Sequence, residues 1–175
     1  MLKMTNRTKI AVTQFVFALC AVGVFNVAPA ASYQAVVVRV TDGDTVVTLD
    51  EAKTQHRVRL SGIDAPERKQ AFGQVSRQYL ATLVFQKRVT VVWSKLDRYR
   101  RQIGKIIVDG HDANLAQVEA GFAWHYKHFA KEQPLDDRTA YAEAEARARS
   151  QALGLWRDPH PTPPWDYRRA VRQRR

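Results

Sequence analysis

The order of short β-branched segments is the feature that most restricts how this 175-residue chain can fold. Alternating or β-branched runs predict strands at 33–40, 45–49, 55–63, 89–93 and 103–108. Helical spacing predicts helices at 71–85, 114–119 and 136–153. Five short strands, with a helix between the third and the fourth, are the order expected of an OB-type barrel. The predicted fold class is therefore α+β, a five-stranded antiparallel barrel packed with about three helices.

The first thirty residues have the pattern of a secretory signal peptide. Three basic residues precede an apolar run at 10–25, and Ala28-Pro29-Ala30 then offers the small residues that a signal peptidase recognises. The apolar run is shorter than the ~20 residues that usually span a bilayer. We predict a signal peptide at 1–30, cleaved near Ala30, and a secreted or periplasmic protein. An uncleaved N-terminal anchor is the alternative.

Composition favours one folded domain with a polyanionic partner. The 45% of hydrophobic residues exclude a disordered chain, and the single cysteine, Cys20, excludes an internal disulfide framework. The formal net charge of +11 favours nucleic acid, with an acidic membrane surface as the alternative. We predict a single domain at 31–158 and a flexible tail at 159–175 that is rich in proline and arginine.

Three clusters of polar residues follow the predicted strands. They are Asp42-Gly43-Asp44-Thr45, the stretch from Arg59 to Glu67, and Asp97-Arg98-Tyr99-Arg100-Arg101. Taken singly, the first is better explained as a hairpin turn and the second as a solvated strand end, and the third is open to explanation as a charged hairpin. In the third cluster, Arg98 and its neighbours can line a phosphate backbone, and Tyr99 can stack on a base.

Taken together, the clusters contain the groups that phosphodiester hydrolysis needs. Asp44 and Asp64 offer hard oxygen ligands for a cation such as Ca²⁺. Arg59 and Arg101 offer guanidinium groups that match a phosphate. Glu67 remains available to orient or deprotonate a water molecule. Negative charge builds on the phosphoryl oxygens in the transition state, and this combination stabilises that charge.

The three motifs, in this order, resemble the staphylococcal nuclease (thermonuclease) family. The similarity covers roughly 35–157 and extends to Asn114, to Gly121-Phe122-Ala123 and to Gly154-Leu155-Trp156. The resemblance implies a Ca²⁺-dependent endonuclease that acts on DNA and RNA and leaves 3′-phosphate ends. It implies that Asp44 and Asp64 bind the metal with the main-chain carbonyl of Ala65, and that Arg59, Glu67 and Arg101 are catalytic.

The chain departs from the family pattern at a few positions. Ala65 stands where the best-known member has threonine, and Arg100 stands where glycine is common. Tyr126 and Phe129 lie near the region where the best-known member has aromatic residues that stack on substrate. Their positions do not allow a base preference to be predicted. We expect a monomer without a protein partner. A non-catalytic nucleic-acid-binding module and a binder that works through its basic tail are the alternative functions.

Overall fold

The computed structural model describes residues 31–174, so the predicted signal peptide at 1–30 lies outside the described residues. In the described part of the chain the strands are β1 Ala31–Asp42, β2 Thr45–Asp50, β3 Gln55–Leu60, β4 Ile63–Asp64, β5 Arg88–Leu96, β6 Gln102–Val108, β7 His111–Asp112 and β8 Trp124–His125. The α-helices of the same part are α1 Gly73–Val84, α2 Ala113–Glu119, α3 Leu135–Ser150 and α4 Pro164–Gln173. Two short 3₁₀ segments, Lys127–Glu132 and Gly154–Arg157, flank α3.

Five of these strands form the predicted closed barrel. The antiparallel pairs β1–β2, β2–β3, β1–β5 and β5–β6 are completed by a parallel pair between β3 and β6. The prediction of an antiparallel barrel therefore holds for four pairs out of five. A closed ring with an odd number of strands cannot alternate in direction throughout, so one parallel pair is unavoidable.

The core lies inside the barrel and beneath three helices. Alternate strand residues point inward, as in β6, where Gln102, Gly104, Ile106 and Val108 are buried. Helix α1 closes one side with Leu80 and Val84, and α2 and α3 add further buried side chains, Val118, Tyr141 and Ala144. These three helices coincide, within three residues at each end, with the three that the sequence predicts.

The C-terminal segment differs from the flexible extension that the sequence predicts. Residues 164–173 form α4, which begins at the buried Pro164. The Trp165 ring packs edge-on against the Trp124 ring, with 5.5 Å between the ring centroids. Proline is favoured at the first position of a helix, because a backbone N–H there would have no partner within the helix. Aromatic anchoring then holds this short helix on the domain. Within residues 31–174 no helix is both long enough and apolar enough to cross a bilayer.

Candidate active site

The turn between β1 and β2 places Asp44 at the edge of the barrel. A Cβ atom on Gly43 would overlap the Ser76 hydroxyl oxygen and lie 2.7 Å from Cβ of Ala65, so only glycine fits here. The Gln117 side-chain amide donates hydrogen bonds to the carbonyl oxygens of Gly43 and Ser76. Helices α1 and α2 therefore fix the turn, and Asp44 is only 6% exposed.

Arg59 and Asp64 come from the neighbouring strands β3 and β4. The Arg59 Nη1 atom donates to the carbonyl oxygens of Leu60 and Ile63, at 2.8 and 2.9 Å. Its Nη2 atom lies 2.9 Å from Oδ1 of Asp64 and 3.1 Å from Oδ2 of Asp44. The same nitrogen thus contacts both predicted metal ligands, and the two carboxylates face one another across it. The Ala65 N–H donates to Oδ2 of Asp44 at 2.7 Å, which places the predicted third ligand beside them.

A buried amide holds the tight connection between β3 and β4. The Asn114 Nδ2 group donates to the carbonyl oxygens of Ser61 and Gly104, and its Oδ1 atom accepts from the Ile106 N–H. Both donors and the acceptor oxygen of this buried amide are used, which rigidifies the turn. The β4 strand also pairs with β8, where Asp64 lies opposite Trp124. Asp64 is therefore held from both sides.

The concentration of buried carboxylates shifts their acidity. Burial raises the pKa of Asp42 to about 7, and the neighbouring Asp44 carboxylate contributes to that rise. Burial also raises the pKa of Asp64, with repulsion from Asp44 in the same direction, while Arg168 and Arg59 oppose the rise. Such crowding costs free energy unless a positive charge is close, and it is typical of functional sites.

Glu67 reaches the same site through a residue that the motifs did not include. The Arg168 Nη1 atom donates to Oε1 of Glu67 at 2.8 Å and to Oδ1 of Asp64 at 3.1 Å. The Arg168 Nη2 atom donates to Oδ2 of Asp64 at 2.8 Å. Arg168 lies in the predicted tail, and its role is not visible in the sequence because it depends on α4 packing back on the domain. The one available signal is a helix start, with Pro164 followed by an acidic residue in the first turn.

Arg101 lies in the hairpin between β5 and β6 and pairs locally. Its Nε and Nη2 atoms lie 2.7 Å from Oδ2 of Asp97. Burial by itself raises the pKa of Asp97, but hydrogen bonds from the main chain and side chain of Arg101 and from the Tyr99 N–H outweigh burial and lower it. Among residues 31–174, Arg101 forms its ion pair with Asp97 and none with the acidic site. The carboxylates of that site pair instead with Arg59 and Arg168.

The other predicted substrate contacts in this hairpin are exposed. The Arg98 guanidinium lies over the exposed Tyr99 ring, 4.8 Å from its centroid. Arg100, at a position where glycine is common, has a φ of 60°, the left-handed conformation that glycine adopts without strain. The structure therefore accounts for the glycine of the family pattern. It also leaves Arg98 and Tyr99 accessible to a ligand.

An aromatic surface adjoins the acidic site. The Tyr126 ring stacks on Trp165 with 5.5 Å between centroids and an interplanar angle of 21°, and Phe129 meets Tyr126 edge-on. A cavity of about 400 Å³ opens beside Tyr126 and Trp165 and is bordered by Arg169 and by Lys127, which pairs with Glu145 in the same lining. Aromatic faces with neighbouring cations are the usual surface for unpaired nucleobases.

Comparison with known proteins decides the family. Residues 57–158 match the model of the family described as staphylococcal nuclease homologue. The chain belongs to the staphylococcal nuclease family. A protein named micrococcal nuclease from Shigella flexneri is 41% identical over 149 residues, which cover 80% of this chain and 83% of the relative. An uncharacterized endonuclease from Haemophilus influenzae is 38% identical over 133 residues, which cover 76% and 71%. The protein ParB from Escherichia coli is 40% identical over 148 residues, which cover 79% and 81%.

Membership in the staphylococcal nuclease family confirms the predicted OB-type fold and the prediction of a nuclease-type hydrolase. The family match contains Arg59, Asp64, Glu67 and Arg101, whose individual roles stay predictions. Asp44 precedes the matched residues and Arg168 follows them. The structure nevertheless brings both into direct contact with groups inside the match.

Proposed function

We propose that this chain is an exported endonuclease that uses Ca²⁺ to hydrolyse the phosphodiester bonds of DNA and RNA and leaves 3′-phosphate ends. One observation carries the proposal. The carboxylates of Asp44 and Asp64, 6% and 1% exposed, face the same guanidinium nitrogen of Arg59, and Glu67 stands beside them. Burying a cluster of carboxylates costs free energy, which favours a functional role for the cluster. Membership in a nuclease family indicates that this role is phosphodiester hydrolysis.

The donor set fits a hard cation. Asp44 and Asp64 offer carboxylate oxygens, and the adjacent main-chain carbonyl of Ala65 offers a third, the kind of ligand that Ca²⁺ prefers. The proposed ligands are thus two carboxylates and one main-chain oxygen, and within residues 31–174 the side chains of His, Cys, Asp and Glu form no group of three or more that could hold a metal ion. A cation held there supplies charge neutralisation at the phosphoryl oxygens.

The side chains of this site have distinct roles in the proposed reaction. Arg59 turns the Nη2 donors that now face Asp44 and Asp64 toward a phosphoryl oxygen, and its guanidinium stabilises the charge that develops in the transition state. Arg101 supplies a second guanidinium group from the hairpin when it turns from Asp97 toward substrate. Arg98 and Tyr99 contact the nucleic-acid backbone and a base.

Glu67 acts on the attacking water. Its side chain is 40% exposed, so water reaches the carboxylate directly. Glu67 accepts a hydrogen bond from this water, and takes its proton as the water oxygen bonds to phosphorus. The bond from phosphorus to the 5′-oxygen breaks on the opposite side, and the departing oxygen takes up a proton from solvent water to become the 5′-hydroxyl group. The phosphate then remains on the 3′-oxygen, which is the product that the proposal states.

Cleavage of single-stranded DNA with Ca²⁺, and with a chelator in its place, tests the proposal. We expect cleavage only with Ca²⁺, and poor replacement by Mg²⁺, which demands a tighter octahedral shell. Asp44→Asn should weaken Ca²⁺ binding in calorimetry while circular dichroism stays unchanged. Asp109→Asn, in an exposed turn of the barrel, is the matched control. Unchanged Ca²⁺ affinity in Asp44→Asn would refute the metal assignment.

Export is a separate part of the proposal and rests on residues 1–30. Expression of the full chain in a bacterium should yield a periplasmic or secreted protein that begins near Ala31, as mass spectrometry would show. Retention of the intact chain in the membrane fraction would instead support the uncleaved anchor.

A further inference from the structure

Helix α4 delivers an arginine to the proposed catalytic carboxylate from outside the residues that match the family. The Arg168 guanidinium makes three hydrogen bonds of 2.8–3.1 Å, two to Asp64 and one to Glu67. In the described part of the chain no other side chain joins these two carboxylates. Arg59 contacts Asp44 and Asp64, and Arg168 contacts Asp64 and Glu67.

Glu67 depends on this contact for its orientation. It lies in the loop between β4 and α1, and a glutamate side chain has three rotatable bonds and many rotamers. The hydrogen bonds of its main chain with Gln70 fix the loop but leave the carboxylate free to rotate. Arg168 donates a hydrogen bond to the carboxylate itself, and Asp64, 1% exposed, fixes the other side of the guanidinium.

Arg168 is itself held by the packing of α4. Trp165 stands one turn earlier on the same face of the helix, and its ring packs against Trp124 and Tyr126. Ahead of the helix, the Gln70 side-chain amide donates to the Thr162 carbonyl oxygen at 2.6 Å. The proline-rich stretch before α4 restricts the backbone further. The guanidinium therefore reaches the carboxylates from a fixed base.

We propose that Arg168 is a positioning residue, which holds the Glu67 carboxylate against Asp64 in the orientation that water activation requires. This inference rests on the proposed role of Glu67. The Arg168 Nη1 atom donates one hydrogen bond to Asp64 and one to Glu67, and so holds the two carboxylates in a fixed relative position. The effect of Arg168 on the reaction therefore passes through Glu67.

The first test separates the chemical step from substrate binding. Arg168→Met keeps the unbranched stem and the helix propensity but loses every guanidinium donor. We expect single-turnover cleavage of a short single-stranded oligonucleotide, at saturating Ca²⁺, to slow by about 10–100-fold, as is usual when a group that orients a reacting residue is removed. The enzyme concentration for half-maximal rate should change by less than about threefold. Arg168→Lys, which keeps a charge but not the fork, should have a rate between those of the wild type and Arg168→Met.

Arg147→Ala is the matched control. It removes the same charge from an exposed position on α3, where Arg147 pairs only with Glu143 in the described residues, at 3.7 Å. Its cleavage rate should equal that of the wild type. Circular dichroism and thermal melting establish that each variant is folded. If Arg168→Met does not fold, Arg168→Lys decides alone. Lysine cannot form the forked pair of hydrogen bonds, so a cleavage rate equal to that of the wild type would overturn the proposal.

The second test is a double-mutant cycle with Glu67→Gln. If Arg168 acts through Glu67, adding Arg168→Met to Glu67→Gln should slow cleavage by less than about twofold more. Losses that multiply would overturn the proposal and assign Arg168 an independent contact with the phosphate. Faster cleavage by Arg168→Met would also overturn it, and would make α4 an inhibitory element.

The single variants separate failure of this proposal from failure of the proposed role of Glu67. If Glu67→Gln cuts at the wild-type rate, the proposed function of Glu67 fails. If only Arg168→Met does so, that function stands and the positioning role fails.

Discussion

At the residue scale, Arg59 is the side chain that Asp44 and Asp64 share. Its two terminal nitrogens contact two main-chain carbonyls and two carboxylates, and the side chain is only 15% exposed. Lysine could not make the same contacts, because its side chain ends in a single nitrogen and has no planar fork. The contacts order Arg59 before any substrate is present, and those to Asp44 and Asp64 have to give way when Arg59 binds a phosphate.

We predict that Arg59→Lys lowers the single-turnover cleavage rate by about 10²–10³-fold, as the loss of one preorganised donor commonly does. A lysine ammonium group lacks the planar fork that matches a phosphate. Arg57→Lys is the matched control, since Arg57 lies on the same strand, two residues earlier, and is exposed. A loss below threefold for Arg59→Lys, with the fold intact, would remove Arg59 from the reaction.

At the scale of elements, the hairpin between β5 and β6 is organised by one carboxylate. Asp97 accepts hydrogen bonds from the main-chain N–H groups of Tyr99 and Arg101, at 2.8 and 2.9 Å, and from the Arg101 side chain. These bonds close the turn even though Arg100 is in a left-handed conformation. The same carboxylate also sets the position of Arg101, one of the predicted catalytic residues.

We predict that the stability contributed by Asp97 is lost in acid. Its pKa in the folded chain is lower than the ordinary value of 3.8, so the unfolded chain takes up the proton first as pH falls. The contribution is therefore complete above about pH 4 and disappears as pH falls through the lower pKa of the folded state. At pH 7, Asp97→Asn should lower the free energy of unfolding by about 1 kcal/mol, allowing for solvent screening at this partly exposed pair.

Urea unfolding of both proteins between pH 7 and pH 3 measures this effect. The difference between wild type and Asp97→Asn should shrink toward the acid end of the series. Asp109→Asn, in the exposed turn between β6 and β7, should show a smaller difference at pH 7. A difference for Asp97→Asn that grows as the pH falls would contradict the assignment.

The elements also show what the sequence can and cannot predict. The alternation of buried and exposed residues in β3 and β6 reflects the barrel interior, so the sequence pattern predicts these strands. The strands β4 and β8 have two residues each and exist only because they pair with one another, although Asp64 and its partner Trp124 are distant in the sequence. Helix α4 escapes prediction for a different reason. The prolines before it indicate the end of regular structure, whereas Pro164 begins a helix.

The candidate site follows the same division. Asp44, Arg59, Asp64 and Glu67 can be predicted from local motifs, because each motif is a short turn or strand end whose geometry is local. The contact between Arg168 and Glu67 joins positions 101 residues apart, and no local pattern encodes it. Likewise, the pairing of Arg101 with Asp97 depends on the side-chain conformations of the folded hairpin.

At the scale of the whole molecule, α4 makes the C-terminal segment part of the domain. A chain that ends at Asp158 lacks Arg168 and uncovers Trp124 and Tyr126. We predict that this truncation slows cleavage at least as much as Arg168→Met does, and that it lowers the melting temperature. A chain that ends at Gln173, which keeps α4, should cut at the wild-type rate.

The same truncation tests the alternative in which the tail only tethers polyanions. Under that alternative the chain ending at Asp158 would keep its maximal cleavage rate. Its binding to single-stranded DNA would instead depend less steeply on salt, by about 0.7 in the logarithmic slope for each phosphate that the shortened chain no longer neutralises. Cleavage rates and binding measured over a series of salt concentrations separate the two outcomes.

The separation of Asp64 and Arg168, 104 positions along the chain, also has a consequence in time. A ribosome adds about 5–20 residues per second, so roughly 5–20 s pass between the synthesis of these two residues. During that interval the nascent polypeptide carries its acidic residues without the guanidinium that orients Glu67. A growing chain therefore has an incomplete site until α4 has been synthesised, because that helix supplies the guanidinium that contacts Asp64 and Glu67.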